Sequence, residues 1–247
     1  MCVEAQADLD GLLASGRVVR AALDAMGAAA RPGVTTAELD AIGASVLLKA
    51  GARSAPQLVY AFPAATCISV NDQIVHGIPG DRVLEDGDLL SLDVTAEKGG
   101  YMTDAAVTLV VGNPSATSLA LVAAARRAFD RAMEAARAGG RVSDIGRAVS
   151  RSIRRDGFSV VRDLAGHGIG RTIHEDPSVP NVYDPRARTR LKRGLVLAVE
   201  PMLTTGSGRI VEDADGWTVR TADAAPAAHY EQTIVVMDGA PILLTAA

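Results

Sequence analysis

The chain is expected to fold as an α+β protein built from two related halves, and three observations lead there. The element order inferred from residue patterning runs helix, helix, strands, and then helix, helix, strands again. Two stretches recur at a fixed distance: Gly33 answers Gly140 and Gly87 answers Gly194, each pair 107 residues apart. At that same offset Asp93 answers Glu200, so two apolar strand-like runs, Leu-Leu-Ser-Leu-Asp93 and Leu-Val-Leu-Ala-Val-Glu200, end on a carboxylate at equivalent places. The halves divide the chain at about 8–112 and 113–247, within one domain, a size a single large core can fill.

In order, Asp8 to Ala30 places Leu9, Leu12, Leu13, Val19, Leu23 and Met26 on one stripe of a helix that Arg31-Pro32-Gly33 ends. Thr35 and Glu38 form a capping box for a second helix, stopped at Gly51. Residues 58–76 read as a hairpin, with Thr66–Val70 going out, Asn71-Asp72 turning, and Ile74-Val75-His76 returning. Leu89–Thr95 and Tyr101–Val111 form a second hairpin around Lys98-Gly99-Gly100. Ser115 opens an Ala-rich helix to about Ala138, and Ser143 is expected to cap another that reaches about Asp156. Strand-like runs follow at Gly194–Pro201, Trp217–Arg220 and Glu231–Met237.

Composition narrows the function classes. A net charge of −4 gives no footprint for nucleic acid or an anionic membrane, and no apolar run reaches the length of a membrane span. The residues after Met1 do not make a secretion signal, and two cysteines, Cys2 and Cys67, do not make a disulfide framework, so a cytoplasmic protein is expected.

Val161–Glu175 carries the first chemical signal. His167 sits between Gly166 and Gly168, with Gly170 beyond, and His174 follows seven residues on. A glycine at every second position opposes a helix, and the spacing is not the four of a zinc-binding helix. An extended segment that turns tightly and carries imidazoles into a cleft fits better. Carboxylates supply the second signal. Asp104-Ala-Ala-Val-Thr-Leu-Val resembles Glu231-Gln-Thr-Ile-Val-Val at an offset of 127, so Asp93, Asp104, Glu200 and Glu231 all stand in or beside apolar strands. Buried together they would repel one another, and divalent cations are the simplest neutraliser. Four carboxylates with His167 make the ligand mix of a two-metal hydrolytic site, whose ions stand roughly 3.5–4 Å apart.

The ordered set Cys67-Ile-Ser-Val-Asn-Asp-Gln-Ile-Val-His76-Gly-Ile-Pro, Leu92-Asp93-Val, Thr103-Asp104, Gly166-His167-Gly-Ile-Gly, Ile173-His174-Glu-Asp-Pro, Val199-Glu200-Pro-Met and Tyr230-Glu231-Gln-Thr resembles the type I methionine aminopeptidases over nearly the whole chain. The resemblance implies the pita-bread fold, a curved antiparallel sheet covered by helices around two divalent ions. It implies that Asp93 chelates one ion, that Asp104 and Glu231 bridge the two, and that His167 and Glu200 complete the other. A bridging hydroxide would attack the carbonyl of the N-terminal residue. His76 would contact the scissile amide or hold the substrate, His174 would steady the oxyanion, and Glu200 would shuttle the proton. Phe62, Cys67, Ile173 and Trp217 would line the methionine pocket. The substrates would be the N-termini of nascent chains whose second residue is small, met at the ribosome by a monomer, and the ions could be Co²⁺, Mn²⁺, Fe²⁺ or Zn²⁺.

Four positions depart from the family pattern. Ala105 stands where Thr is usual, Gln232 where His is common, and Val59 and Ile173 where pocket aromatics are common. Two other readings share the motif set: a hydrolase of Xaa-Pro bonds, which usually carries an extra domain ahead of residue 8, and a non-catalytic binding module, which usually loses ligands. No zinc-finger extension is expected ahead of the first helix.

Overall fold

The computed structural model describes residues 1–246. The first half begins with α1 (Gln6–Ala29) and α2 (Thr36–Lys49), followed by β1 (Arg53–Ser54), the short α3 (Ala55–Tyr60), β2 (Cys67–Val70), β3 (Gln73–Val75), β4 (Leu89–Lys98) and β5 (Tyr101–Val110). The second half repeats the plan with α4 (Ala116–Ala135), α5 (Val142–Asp156), β6 (Ser159–Val160), β7 (Ala165–Gly168), β8 (Glu175–Pro180), β9 (Val196–Val199), β10 (Met202–Thr204), β11 (Ile210–Glu212), β12 (Val219–Thr221), β13 (Ala227–His229), β14 (Gln232–Val235) and β15 (Ile242–Leu243). In the first half β1, β4, β2 and β5 make one antiparallel sheet. In the second, β15, β14, β9, β7 and β8 make another.

Each half carries its own helix pair. Val19, Leu23 and Met26 of α1 and Leu39 and Leu47 of α2 pack on Leu90, Leu92 and Val94 of β4. Leu121, Ala128 and Phe129 of α4 and Ile145 and Val149 of α5 pack on Leu197, Val199 and Ile234. These helices are held by their apolar stripes, and β9 beneath α4 and α5 reads as an unbroken apolar run, Val-Leu-Ala-Val, all of it buried.

The long hairpin β4–β5 is the strongest local feature. Gly99 and Gly100 both have positive φ, 59° and 83°, the handedness a two-residue turn between right-twisted strands requires. Asp93 lies opposite Ala106, and Asp104 opposite Thr95. Opposed and second-neighbour residues share a face, so the two aspartates lie diagonally on the same side.

The halves meet where β5 runs beside the approach to β14. At the centre, Ala106 and Glu231 exchange both backbone hydrogen bonds (2.9 and 3.3 Å). Two residues to one side, the Thr233 hydroxyl accepts from the Asp104 N–H and donates to the Asp104 carbonyl, each at 2.8 Å. Two residues to the other, the Thr108 hydroxyl accepts from the His229 N–H (2.8 Å) and donates to the His229 carbonyl (2.9 Å). This seam thus has a local twofold axis through the Ala106/Glu231 pair, which exchanges Thr108 with Thr233 and Asp104 with His229.

The structure corrects two local expectations. Residues 58–76 are not one hairpin: Ala55–Tyr60 is helical, with the Ser54 side chain capping the N–H of Gln57. The strands on either side of Asn71-Asp72 then part, β2 to β4 and β3 to β12. The Gln73 side chain takes the Val70 N–H and Arg220 of β12 ion-pairs with Asp72, which holds β3 to the second half. Ser143 is not the cap of α5. Arg141 occupies the N-cap position, and Asp144 reaches back to accept from its N–H (2.9 Å).

Candidate metal centre and substrate cleft

A cleft of about 370 Å³ opens over the seam, and all eleven residues expected to hold metal, act in catalysis or line the methionine pocket line it. Asp93 and Asp104 come from the hairpin. His167 comes from β7, Glu200 from the end of β9 where Pro201 stops the strand, and Glu231 from the approach to β14. Asn181 fixes the Glu200 backbone, donating from its amide to the Glu200 carbonyl (3.0 Å).

Close packing explains the glycines around His167. A Cβ on Gly166 would lie 2.4 Å from the Ala198 carbonyl oxygen of β9, and one on Gly168 would lie 2.3 Å from that of Asp176 in β8. Only glycine lets β7 thread between its neighbours there. The buried His167 ring donates from Nδ1 to the Gly168 carbonyl (2.9 Å), which leaves the Nε2 lone pair free, 3.4 Å from Glu200 Oε1. Burial, with the His174 imidazole nearby, depresses its pKa to about 4, so the ring is neutral and able to coordinate.

Burial and mutual repulsion shift the carboxylates the other way. Asp104 is raised to about 6, chiefly by desolvation. Asp93, Glu200 and Glu231 are raised well above the ordinary range, first by burial and then by the charge of Asp104. Asp104 Oδ1 and Glu231 Oε1 are buried without a hydrogen-bond partner. Unpartnered buried oxygens of this kind are costly in a folded chain unless a cation takes them. The donor atoms of Asp104, His167 and Glu231 lie within 4.8 Å of one another, and so do those of Asp93, His229 and Glu231. Glu231 is common to both sets. Donor type, burial and spacing all fit divalent ions.

The rest of the cleft is a wall and a rim. Phe62 and Trp217 meet edge to face (centroids 5.2 Å apart, 88°), with Cys67 in the same apolar cluster and opposite Asp93 in the sheet. Burial first, and the Asp93 charge second, push the Cys67 thiol well up, so it is a neutral lining group and not a nucleophile. Ile173 is buried and reaches the cleft from the core behind it. His174 stands at the rim, its ring centroid 4.2 Å from that of His167, and its Nδ1 shares a 2.6 Å hydrogen bond with the Tyr60 hydroxyl. His76 follows β3 with φ of +58°, unusual for a residue with a side chain. Gly77 pins it, its carbonyl accepting from the Ile68 N–H and its N–H donating to Ser69 Oγ.

The structure adds to and corrects the residues that sequence points to. His229 is buried in the cleft beside Glu231, and alternation along the strand is the signal that marks it, two residues before a named ligand candidate. Tyr60 lines the cleft, whereas Val59 is exposed and does not line it, so the aromatic is displaced by one residue along α3. Ala105 and Gln232 do not line it either. Ala105 packs in the first-half core, and Gln232 accepts from the Thr245 hydroxyl (2.7 Å).

Residues 10–238 match the model of metallopeptidase family M24. The chain belongs to that family. Methionine aminopeptidase 2 of Bacillus subtilis is 43% identical over 247 residues, covering 99% of each chain. The methionine aminopeptidase of Clostridium perfringens is 44% identical over 81% of this chain and 80% of its own. Among solved structures, the methionine aminopeptidase of Thermotoga maritima superposes with a TM-score of 0.96 at 33% identity, covering both chains fully. The M24 fold extends further: the prolidase of Pyrococcus furiosus gives a TM-score of 0.79 at 22% identity over 66% of its length, a likeness of fold alone. The fold is the α+β pita-bread fold expected from the motif set.

Proposed function

We propose that this M24 metallopeptidase is a methionine aminopeptidase that removes the initiator methionine from nascent chains whose second residue is small. One observation carries the reading: a floor of four carboxylates and His167 lies directly beside an apolar wall of Phe62, Cys67, Ile173 and Trp217. The wall suits an unbranched thioether, since sulfur packs well on aromatic edges and Cys67 adds a second polarisable atom. The relatives named as methionine aminopeptidases support the same assignment.

Asp93, Asp104, His167, Glu200 and Glu231 are assigned to two divalent ions, of Co²⁺, Mn²⁺, Fe²⁺ or Zn²⁺. When bound, these ions polarise the scissile carbonyl and lower the pKa of water. The chain's own groups do the rest. Glu200, at the end of β9 with its carboxylate beside the His167 ring, is assigned to accept a proton from water and return it to the leaving amine. Burial raises the Tyr60 phenol, so it stays neutral, and we assign its hydroxyl as donor to His174 Nδ1. That tautomer puts the hydrogen on Nε2 and makes His174 an N–H donor for an oxyanion. His76, held in its left-handed conformation by Gly77, is assigned to the amide side of the scissile bond. The chain acts as one catalytic unit, its halves meeting near residue 112, and as a cytoplasmic monomer in transient contact with the ribosome.

The test is release of the N-terminal residue from Met-Ala-Ser, Leu-Ala-Ser and Ala-Pro-Ala, with chelated protein and after adding back Mn²⁺ or Co²⁺. Metal-dependent cleavage of the methionine peptide alone is the expected result. Cleavage only ahead of proline would move the activity to Xaa-Pro bonds, and metal binding without cleavage of any peptide would overturn the enzymatic reading.

A further inference from the structure

His229, alone of the four histidines, is neither in the motif set nor needed by the chemistry of peptide cleavage, yet it stands where a histidine is hard to keep. It is 2% exposed, and neither Nδ1 nor Nε2 has a hydrogen-bond partner. A buried imidazole must satisfy one donor and one acceptor, and leaving both orphaned is strongly unfavourable. What Nε2 does face is carboxylate oxygen, 3.6 Å from Glu231 Oε2 and 3.9 Å from Glu200 Oε2. Those distances are too long for hydrogen bonds. They are close to the separation of two donors on one ion, since ligands about 2.1 Å from a tetrahedral metal stand about 3.4 Å apart.

The seam points the same way independently. Its local twofold axis carries Asp104 onto His229, and each has both backbone polar groups clamped by a threonine hydroxyl. His229 therefore has its backbone fixed on the second strand in the same way as Asp104 has on the first. A rigid backbone clamp holds each side chain over the same carboxylates. Asp104 groups with His167 and Glu231, and His229 groups with Asp93 and Glu231, so the donors divide into two sets with one imidazole in each.

We propose that His229 is a metal ligand, binding through Nε2 the ion held by Asp93 and Glu231, so that each ion of the pair carries one imidazole. This rests on the dinuclear reading of the centre. It makes the Asp93 site a mixed nitrogen and oxygen site, which favours Fe²⁺, Co²⁺ or Zn²⁺ over Mn²⁺ relative to an all-carboxylate site.

The experiment uses the full chain loaded with two equivalents of Co²⁺. Each cobalt-bound imidazole gives a strongly shifted N–H proton in the paramagnetic NMR spectrum, lost in D₂O. Two such signals are expected for the native chain and one for His229→Gln. Calorimetric Co²⁺ titration should show two binding steps in the native chain, one of them weakened at least about tenfold in His229→Gln and the other unchanged. His229→Ala, checked for folding by circular dichroism in chelator, guards against coordination by the glutamine oxygen. Two bound ions with a single imidazole signal, or two unaltered binding steps in both variants, would overturn the assignment of His229 and leave the dinuclear reading standing. Failure of the native chain to bind two ions would overturn both.

Discussion

Replacing Thr233 with valine should loosen the seam between the halves. The side chains are nearly isosteric and residue 233 is fully buried, so packing is kept and only the hydroxyl is lost. That hydroxyl satisfies both backbone groups of Asp104, its N–H and its carbonyl. Each buried backbone group left without a partner costs about 1–3 kcal/mol, so the pair costs about 4 kcal/mol. At about 2–4 °C per kcal/mol for a chain of this size, Tm should fall by about 8–16 °C. The melt is run in chelator, because bound cations stabilise by mass action and would mask a local defect. Thr233→Ser is the control: it keeps the hydroxyl and loses one methyl group, worth about 1 kcal/mol, and should lower Tm by only a few degrees. A valine variant that melts no lower than the serine variant would refute the claim that this hydroxyl closes the seam. Because Asp104 hangs from it, the valine variant should also bind metal more weakly than the serine variant.

Asp93→Asn replaces a charged, bidentate carboxylate with a neutral amide. Turnover should fall below detection and elemental analysis should find less than the native metal content. His174→Ala should lower kcat about 10²–10³-fold at unchanged metal content, and Tyr60→Phe about three- to tenfold. An unchanged kcat in the first would remove His174 from the chemistry. Gly77→Ala would bring a Cβ to 2.3 Å from the Ile68 carbonyl oxygen, so Tm should drop by a few degrees and kcat should fall as the neighbouring His76 moves. The raised carboxyls also predict a pH dependence, read by Co²⁺ titration. Protons compete with metal, so affinity should weaken at least about tenfold between about pH 7.5 and about pH 5.5, across the value of about 6 at Asp104. The sign for the chelated chain is reversed. A carboxyl raised by folding favours the folded state when protonated, and this contribution is lost as pH rises through the folded value.

Much of this centre is legible in the sequence because its signals are local or repeated. Asp93 and Glu200 end matching strands at a constant offset, and the β4–β5 register puts Asp93 and Asp104 on one face, as alternation requires. The glycines around His167 mark a strand with no room for side chains, though sequence does not say whose backbone crowds it. What escapes depends on partners far along the chain. β3 leaves β2 because Arg220, 148 residues away, holds Asp72. His229 looks like one histidine among four because its surroundings come from Thr108 and Asp93 in the other half. The family pattern places a pocket aromatic at Val59, whereas the aromatic that lines the cleft is Tyr60, the last residue of α3.

The two halves contribute matched pairs of carboxylates but unmatched imidazoles: His76 lies in the first half, and His167, His174 and His229 lie in the second. A peptide has a direction, with its amine at one end. A cleft with true twofold symmetry would accept it in two equivalent poses and could not tell its amine end from the other. Joining the halves in one chain lets the two sides diverge, with His229 beside the second pair of acids and Trp217 in a segment the first half lacks. The near-symmetry concentrates charge over the seam, and the departures from it tell the cleft which end of a chain it holds.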